Sequence, residues 1–504
     1  MEIPSLYTSG LPSVMQLEVI FMLLLGTVVG IVIGALPGLT VTMGVALLTP
    51  LTFRMDTTAS FALLLGAYCG GTYGGSITAI LLKIPGALPA VMTTLDGYPM
   101  AQRGEAGRAL GITITTSVIG GVISALVLAL MAPPLADLAV RFSAQEYLAV
   151  AFFALSVIAY ISQEHMVKGF LAGALGLLLS TIGTDPNAGY PRFTADISEL
   201  VSGVQLVPLM IGLFGLAEVL TSVEKPISEI QVIKQLGKIL PSWKELRSLA
   251  PSIVRGSIIG VFIGILPAAG SSIASIVSYG VEKRVSKHPE KFGTGIPEGI
   301  AAPETANNAS TGGDMVPTLS LGIPGSSSTA ILMGALLLHG LQPGPTLFTE
   351  HEEVVSAIFI LMLLANLSFF FLGLIGANVF TKAIDAPPPM LIPAIGMLCI
   401  IGSYAIRNSL FDVVVMIAAG VLGYFMRKVR VPSAPLVLGL ILGPMVESNL
   451  QRVMMLSYGD VGSMFNRPIS AGFLAVTVIF LISPWLVGKL VNRQQREQFA
   501  NDDD

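Results

Sequence analysis

The stretch AAPETANNASTGGDMVPTLSLGIPGSSSTAILMGALLLHGLQPG, residues Ala301 to Gly344, carries the strongest structural signal in this chain. It begins with polar and glycine residues, passes through an apolar piece interrupted at Gly322-Ile-Pro-Gly325, and resumes at Ser326. Backbone polar groups cannot stay unpaired in hydrocarbon, so a Gly/Pro interruption at membrane depth survives only inside protein or beside a watery cavity. Asn, Ser, Thr and carboxylate side chains at such an interruption are typical of a solute or ion site.

The composition places this stretch in a membrane. The chain of 504 residues is 53% hydrophobic and 12% charged, with a mean hydropathy of +0.79. A soluble protein of this size would be about one-quarter charged. We therefore predict an all-α polytopic membrane protein. The net charge of -4 and the lack of a Lys/Arg cluster interleaved with aromatic residues argue against nucleic acid as a partner.

Cofactor chemistry leaves no recognisable pattern. Cys69 and Cys399 lie in apolar segments, so we interpret them as packing residues. The four histidines show no metal-ligand spacing, and we expect His339 to be solvated. The phosphate-binding pattern GxxxxGK[ST] is also missing. We expect no cofactor, and no metal beyond Na⁺ as a coupling ion. No Lys or Arg precedes Arg54, so the first apolar run is not a signal peptide.

The apolar runs predict a series of membrane segments, several of them too short to span the ~30 Å hydrocarbon core alone. Around the LPG and IPG interruptions we interpret them as re-entrant hairpins or broken helices. The segments lie near 19–35, 41–53, 58–72, 76–94, 109–132, 143–163, 170–183, 204–223, 253–266, 271–284, 305–322, 326–338, 354–380, 390–406, 410–426, 436–447 and 469–491.

Loop charges predict the orientation. Basic residues concentrate in cytoplasmic loops of membrane proteins. They concentrate here in 224–252, in 427–430 and after 489, whereas 133–142, 184–203 and 339–353 carry one or none. This asymmetry places the N-terminus in the periplasm and the C-terminus in the cytoplasm.

The chain also repeats its interruptions. Gly34-Ala-Leu-Pro-Gly38 recurs as Gly264-Ile-Leu-Pro-Ala-Ala-Gly270, and Ile84-Pro-Gly86 recurs as Ile323-Pro-Gly325. The loop after the first IPG is basic, and the loop after the second is acidic. Opposite charge bias is expected of inverted-topology repeats, whose paired interruptions point to a transporter binding site.

The repeat predicts the domain organisation. We expect a first membrane repeat over 19–223, a cytoplasmic linker over 224–252 and a second membrane repeat over 253–491. A short periplasmic N-terminus (1–18) precedes them, and a cytoplasmic tail (492–504) follows.

The interruptions define the predicted sites. A helix that begins inside the membrane presents unpaired N–H groups and the positive end of its dipole, which suits an anion. Glycines at these tips are expected to let the substrate approach the backbone. The predicted substrate-binding residues are Pro37, Gly38, Thr40, Gly75, Ser76, Lys83, Pro85, Gly86, Pro267, Gly270, Ser271, Ser272, Pro324, Gly325, Ser326 and Ser327. The predicted cation-binding residues, which offer hard oxygen ligands, are Asn307, Asn308, Thr311 and Asp314.

Four passages carry a family resemblance: LDGYPMAQRGEAGRALG at 95–111, PETANNA at 303–309, GIPG at 322–325 and HGLQPGP at 339–345. They closely resemble the large membrane subunit of tripartite tricarboxylate transporters, the TctA family, and the likeness runs from about residue 20 to 490. The resemblance implies import of a citrate-like tri- or dicarboxylate across the bacterial inner membrane by Na⁺ or H⁺ symport. It also implies two partners, a small membrane subunit and a periplasmic solute-binding protein.

An elevator-like movement of the tip-bearing segments is expected by analogy with other hairpin-containing carboxylate carriers. Two functions from other classes were weighed. An intramembrane hydrolase lacks support because no GxSxG or HExxH pattern occurs. An anion channel should show a pore-lining ring rather than matched polar interruptions.

Two charged residues depart from the family pattern. Lys83 stands where an Asn is expected, and Asp314 where a small apolar residue is expected. A lone charge in the bilayer interior costs at least ~2.5–3.5 kcal/mol. Either the two charges pair across the repeats beside the substrate, or each reaches water separately.

Overall fold

The computed structural model describes residues 3–36, 39–161, 166–185, 188–224, 239–267, 269–383 and 388–482. The described residues are almost entirely helical, which confirms the predicted all-α membrane class. Six of their helices are long and apolar enough to cross a membrane: Leu17–Ala35, Leu88–Val140, Leu206–Glu224, Trp243–Ile265, Glu352–Gly376 and Leu410–Lys428.

The helices follow one another through short connections. The first eleven are α1 (Ile3–Thr8), α2 (Leu11–Val14), α3 (Leu17–Ala35), α4 (Val41–Leu48), α5 (Thr57–Leu82), α6 (Val91–Met100), α7 (Ala106–Val140), α8 (Ala144–Ile161), α9 (Met166–Ser180), α10 (Leu206–Met210) and α11 (Ala217–Glu224). The remainder are α12 (Trp243–Ile265), α13 (Gly270–Val285), α14 (Glu298–Leu321), α15 (Ser327–Leu338), α16 (Pro345–Glu350), α17 (Glu352–Ala383), α18 (Pro388–Arg407), α19 (Leu410–Lys428), α20 (Ala434–Leu456) and α21 (Pro468–Ile482).

The chain divides into two compact units. One comprises Met1–Val140 and Gln205–Phe425, and it contains all four Gly/Pro interruptions. At its centre lie α5 and α14, which are buried from Thr58 to Leu82 and from Gly299 to Ser320. Two helices that are fully buried despite many polar residues can carry a site inside the membrane, because their polar side chains face protein rather than lipid.

The second unit comprises Arg141–Val204 and Met426–Asp504. Helices α8, α9 and α20 pack together in it. Two short strands, β1 (Gly183–Thr184) and β2 (Pro191–Arg192), pair antiparallel. Arg192 joins this hairpin to α20, because its guanidinium bonds both Asp185 and Glu447.

Two helix pairs in the first unit pack in the same register. Glycines spaced four residues apart, Gly26, Gly30 and Gly34 on α3, face α5, and Gly256, Gly260 and Gly264 on α12 face α14. A Cβ atom on Gly30 would lie 2.4 Å from the Ala67 carbonyl oxygen, and one on Gly260 would lie 2.5 Å from that of Ala306. The backbones therefore touch, as small residues allow between membrane helices.

The segment break predicted between 72 and 76 and the segment end predicted at 132 are wrong. The segments predicted separately at 58–72 and 76–94 share one continuous helix, α5, which runs to Leu82. The glycines near residue 74 do not interrupt this helix, because they pack against α3. The loop predicted at 133–142 is helical to Val140. Helix α7 continues past Pro133 and Pro134 because its next turns still bury one face. That face consists of Ala132, Ala136 and Ala139, which recur at helical spacing. Cys69 and Cys399 are free and buried, so their interpretation as packing residues is confirmed.

Candidate functional site

Two of the interrupted segments meet at their helix N-termini. Thr40 caps α4 by accepting a hydrogen bond from the Met43 amide (3.1 Å). Ser326 and Thr329 cap α15 reciprocally, each hydroxyl accepting from the backbone amide of the other. Two residues after each cap, the Thr42 and Ser328 hydroxyls lie 2.9 Å apart. The positive ends of α4 and α15 therefore converge, with hydroxyl groups between them.

The other two interruptions lie beside this pair. α13 begins at Gly270, whose φ of +62° is a left-handed conformation that favours glycine. A Cβ at Gly270 would lie 3.6 Å from the Ser326 Cβ atom, so α13 begins next to the cap of α15. The turn Leu88–Ala90, which follows the first IPG, packs against α13.

The predicted substrate residues differ in their exposure. Those that are half-buried are Thr40, Pro85, Ser271, Ser272, Ser326 and Ser327. The buried ones support the tips from behind: Gly75, Ser76, Gly86, Pro267, Gly270, Pro324 and Gly325. Pro37 and Gly38 lie outside the described residues.

The IPG glycines are packed closely against neighbouring backbone. A Cβ on Gly86 would lie 2.1 Å from the Gly34 carbonyl oxygen, and one on Gly325 would lie 2.5 Å from the Cα atom of Asp314. Each IPG turn packs against neighbouring backbone. The Gly86 amide also donates a hydrogen bond to the Gly75 carbonyl (3.2 Å). At these two positions the close approach that the structure shows is between protein segments, and the approach of substrate to the glycines stays a prediction.

A polar seam lies behind the tips, between α5 and α14. Glu304 accepts hydrogen bonds from Ser76 (2.6 Å), Thr93 and Ser117 (3.3 Å). The Asn307 amide donates to the Thr72 carbonyl (3.2 Å). Tyr68 donates to Asp314 (3.1 Å), and the Ser326 side chain interacts with both. The seam thus runs along α14 from Glu304 to the tip of α15.

The polar run that opens the decisive stretch is helical. Residues 301–321 lie within α14, which is unbroken over this range. The helix ends at the turn at Gly322, whose φ is +69°. The helix tolerates so many Asn, Ser, Thr and Gly residues because α7, α12 and α13 pack around it. Neighbouring helices also bond its polar groups, the Thr72 carbonyl accepting from the Asn307 amide and the Ser124 hydroxyl from the Gly312 backbone amide.

Three of the four predicted cation ligands carry an unsatisfied acceptor. Within the part of the chain that the structure describes, Asn307 Oδ1, Asn308 Oδ1 and Asp314 Oδ1 are buried without a hydrogen-bond partner. The fourth, Thr311, donates to the Asn308 carbonyl (2.7 Å) and keeps lone pairs to offer. Buried acceptors without donors are costly. A cation would satisfy oxygens that no donor reaches.

The two charges that depart from the family pattern do not pair. Asp314 is buried and bonds Tyr68. Lys83 is exposed, and its ammonium lies 5.7 Å from the centre of the Tyr98 ring. Lys83 ends α5 in a left-handed conformation (φ +60°), just as Gly322 ends α14. Neither interpretation holds in full, because the two charges are apart but only Lys83 reaches the surface, while Asp314 stays buried. His339 is half-buried against Phe61, so the expectation that it is solvated is also wrong.

The motif at 95–103 has a structural role that its sequence does not reveal. Asp96 is fully buried and accepts from the amides of Gly293, Gly295 and Ile296 (2.8–3.0 Å) and from the Tyr279 hydroxyl (2.9 Å). Arg103 donates to the Gly295 carbonyl (2.7 Å). The motif therefore holds the loop before α14 through both its amides and its carbonyls. We name this arrangement the Asp96 clamp.

Sequence reasoning missed Glu304, Thr93, Ser117 and Tyr68 as site residues. Glu304 was visible in the polar run, and hydroxyl residues recur on α7 at helical spacing. Neither pattern alone indicates that α5, α6 and α7 direct their hydroxyls at one carboxylate.

Known proteins resemble this chain over most of its length. Residues 20–438 match the model of the tripartite tricarboxylate transporter TctA family. An uncharacterized 52.8 kDa protein in the TAR-I ttuC′ 3′ region of Agrobacterium vitis is 38% identical over 451 residues, covering 90% of each chain. A second protein of that organism, in the TAR-II ttuC′ 3′ region, is 39% identical over 245 residues, which cover 49% of this chain and all of the relative.

No solved structure matches this chain. The family match covers most of its length, and the apolar helices fit a multi-pass membrane protein. The chain belongs to the TctA family of tripartite tricarboxylate transporters.

Proposed function

We propose that this chain is the large membrane subunit of a binding-protein-dependent secondary transporter that imports a citrate-like tri- or dicarboxylate by Na⁺ or H⁺ symport. The observation that carries the proposal is the meeting of α4 and α15. Their hydroxyl-capped N-termini, joined at Thr42 and Ser328, offer amides and positive dipole ends to a carboxylate.

The cation site proposed beside it consists of Asn307, Asn308, Thr311 and Asp314. Its support is the set of unpaired acceptor oxygens on α14, together with the position of Asp314 immediately behind Gly325. A cation there would lie close to a carboxylate held at the tips. Coupling follows if neither ion binds tightly without the other's charge.

Lys83 is proposed to contact the substrate. It is exposed at the end of α5, directly before the first IPG turn, and no carboxylate pairs with its ammonium among the described residues. A second carboxylate group of the substrate would supply that partner.

Two inverted repeats with elevator-like motion complete the proposal. Helix α3 packs on α5 through glycines spaced four residues apart, and α12 packs on α14 in the same way. This correspondence supports two equivalent repeats. The Asp96 clamp ties a segment of the first half to the start of α14, so the tip-bearing segments are expected to move together. The predicted location is the bacterial inner membrane, with a small membrane subunit and a periplasmic solute-binding protein as partners.

Reconstitution tests the proposal. The chain and its small membrane subunit are placed in proteoliposomes with the solute-binding protein, and uptake of labelled citrate and other carboxylates is measured. A Na⁺ gradient and a pH gradient are imposed separately. We expect uptake against a concentration gradient with one of the two, and weaker dependence on that cation in Asp314→Asn. Carboxylate flux that no cation gradient can drive would overturn symport.

A further inference from the structure

Glu304 is a buried carboxylate bonded only by side-chain hydroxyls, whereas most other buried carboxylates among the described residues have a basic partner or backbone amides. Four of those others each pair with an arginine at 2.6–2.8 Å: Glu146 with Arg467, Asp185 with Arg192, Glu282 with Arg255 and Asp412 with Arg407. Asp96 receives three backbone amides and a tyrosine hydroxyl instead. Glu304 has a side chain of 0% exposure and, in the described part of the chain, no Lys, Arg or His partner.

The surroundings of Glu304 supply oxygen atoms rather than positive charge. Hydroxyls of Ser76 on α5, Thr93 on α6 and Ser117 on α7 reach its two carboxylate oxygens. Four helices therefore bring five oxygen atoms together around this carboxylate group. Oxygen ligands are those that a hard cation prefers, and a hydroxyl can turn its lone pairs toward an ion as readily as its hydrogen toward a carboxylate.

The charge of the site selects a monovalent ion. Among the described residues, no three His, Cys, Asp or Glu side chains come together. Glu304 and Asp314 are ten residues apart on α14, about 15 Å along the helix. A single carboxylate balances one positive charge, and a second charge on the ion would itself be stranded in the membrane interior.

We propose that Glu304, with Ser76, Thr93 and Ser117, forms a Na⁺ site separate from the one proposed at Asn307, Asn308, Thr311 and Asp314. This inference rests on the proposed function, because it adds a second Na⁺ ion to the proposed symport. Binding of Na⁺ can be measured without substrate, so the two can fail independently.

The test is equilibrium binding of ²²Na⁺ to the purified full-length chain in lipid-containing detergent. Glu304→Gln keeps the size of the side chain and an oxygen that accepts the hydroxyl bonds, but removes the charge. We expect this variant to bind one Na⁺ fewer per chain than the wild type. Glu282→Gln is the matched control, because Glu282 already has Arg255 as its countercharge. It should bind as many ions as the wild type.

Asp314→Asn separates this proposal from the proposed function. Loss of one ion in Glu304→Gln but none in Asp314→Asn supports the Glu304 site and contradicts the other. Unchanged stoichiometry in Glu304→Gln overturns the proposal, including the case in which Glu304 binds a proton instead.

Ser117→Ala keeps the test decisive if Glu304→Gln does not fold. Ser117 makes the longest of the three contacts, so its removal disturbs packing least. Ions that bind the folded state raise its thermal stability with concentration. We expect Ser117→Ala to need several-fold more NaCl than the wild type for the same rise in Tm, with choline chloride as the ionic-strength control. An unchanged NaCl dependence overturns the proposal.

Discussion

The hydroxyl oxygens of Thr42 and Ser328 lie 2.9 Å apart although the residues are 286 positions apart in the sequence. Each is the second residue of a helix that begins directly after a Gly/Pro interruption. One comes from each half of the chain, so the contact joins the two halves at the place where an anion would meet both helix ends. The proposed substrate site depends on this contact.

Thr42→Val tests whether this contact belongs to the substrate site. The change keeps the shape of the side chain and removes the hydroxyl. A hydrogen bond to a charged group contributes ~1.5–3 kcal/mol. Since each 1.4 kcal/mol corresponds to about tenfold, KM for the carboxylate should rise roughly 10- to 100-fold. Uptake kinetics in proteoliposomes measure this. Thr221→Val, which removes a hydroxyl bonded only within its own helix, is the control. A wild-type KM in Thr42→Val would place the substrate elsewhere.

The two tip glycines Gly325 and Gly270 should respond differently to alanine. In Gly325→Ala the new methyl would meet the Asp314 backbone at 2.5 Å, so the turn must move. In Gly270→Ala the methyl has room, and the cost is the left-handed φ alone, roughly 1–2 kcal/mol. Thermal unfolding in detergent should therefore show a larger loss for Gly325→Ala. Gly270→Asn should be milder than Gly270→Ala, because Asn tolerates this conformation. Equal stability of the two alanine variants would contradict the packing described here.

Lys83→Gly should separate stability from binding. Lys83 adopts a left-handed conformation that glycine adopts without strain, so the substitution should stabilise the protein by about 1 kcal/mol. The same change removes the ammonium proposed to hold a substrate carboxylate, so KM should rise while Tm does not fall. Lys83→Asn serves as a comparison that tolerates the same backbone. A fall in Tm together with an unchanged KM would mean that Lys83 serves packing rather than substrate.

Substitutions of Lys83 and of Asp314 should have additive effects on transport. The structure gives the two side chains different partners, Tyr98 and Tyr68, so neither substitution strands the other charge. In Lys83→Asn with Asp314→Ala, the free-energy losses derived from kcat/KM should sum to within ~0.5 kcal/mol. Recovery of transport in the double variant would instead restore the ion pair as the correct interpretation.

Asp96→Ala should be among the most damaging single changes outside the tips. It would leave three loop amides and the Tyr279 hydroxyl without their acceptor, and the bonds of Gly295 and Tyr279 are buried. An unsatisfied buried donor costs ~1–3 kcal/mol, so the two buried ones together predict a loss on the order of 2–6 kcal/mol. Thermal unfolding and the folded yield on gel filtration would measure it. Asp137→Ala, at an exposed position on α7, should leave both unchanged. Wild-type stability in Asp96→Ala would show that the clamp contributes little.

The sequence by itself determined the class of the protein, the positions of the interruptions and the family. Hydropathy and the backbone chemistry of Gly and Pro are local properties, so the turns at Lys83–Gly86 and Gly322–Gly325 could be placed before any contact was known. The acceptor side chains of Asn307, Asn308 and Asp314 were likewise identifiable, because residue type alone states what an oxygen atom can bind.

Only the tertiary structure decided what these residues face. In the sequence, Glu304 is only one acidic residue in a polar run. In the fold, α5, α6 and α7 place Ser76, Thr93 and Ser117 at its carboxylate. The run itself is helical because neighbouring helices cover it, although its composition favours a loop. The separation of Lys83 from Asp314 and the contact of Gly325 with Asp314 have the same origin. Each depends on distances between segments far apart in the chain, which the packing of whole helices sets and no local pattern records.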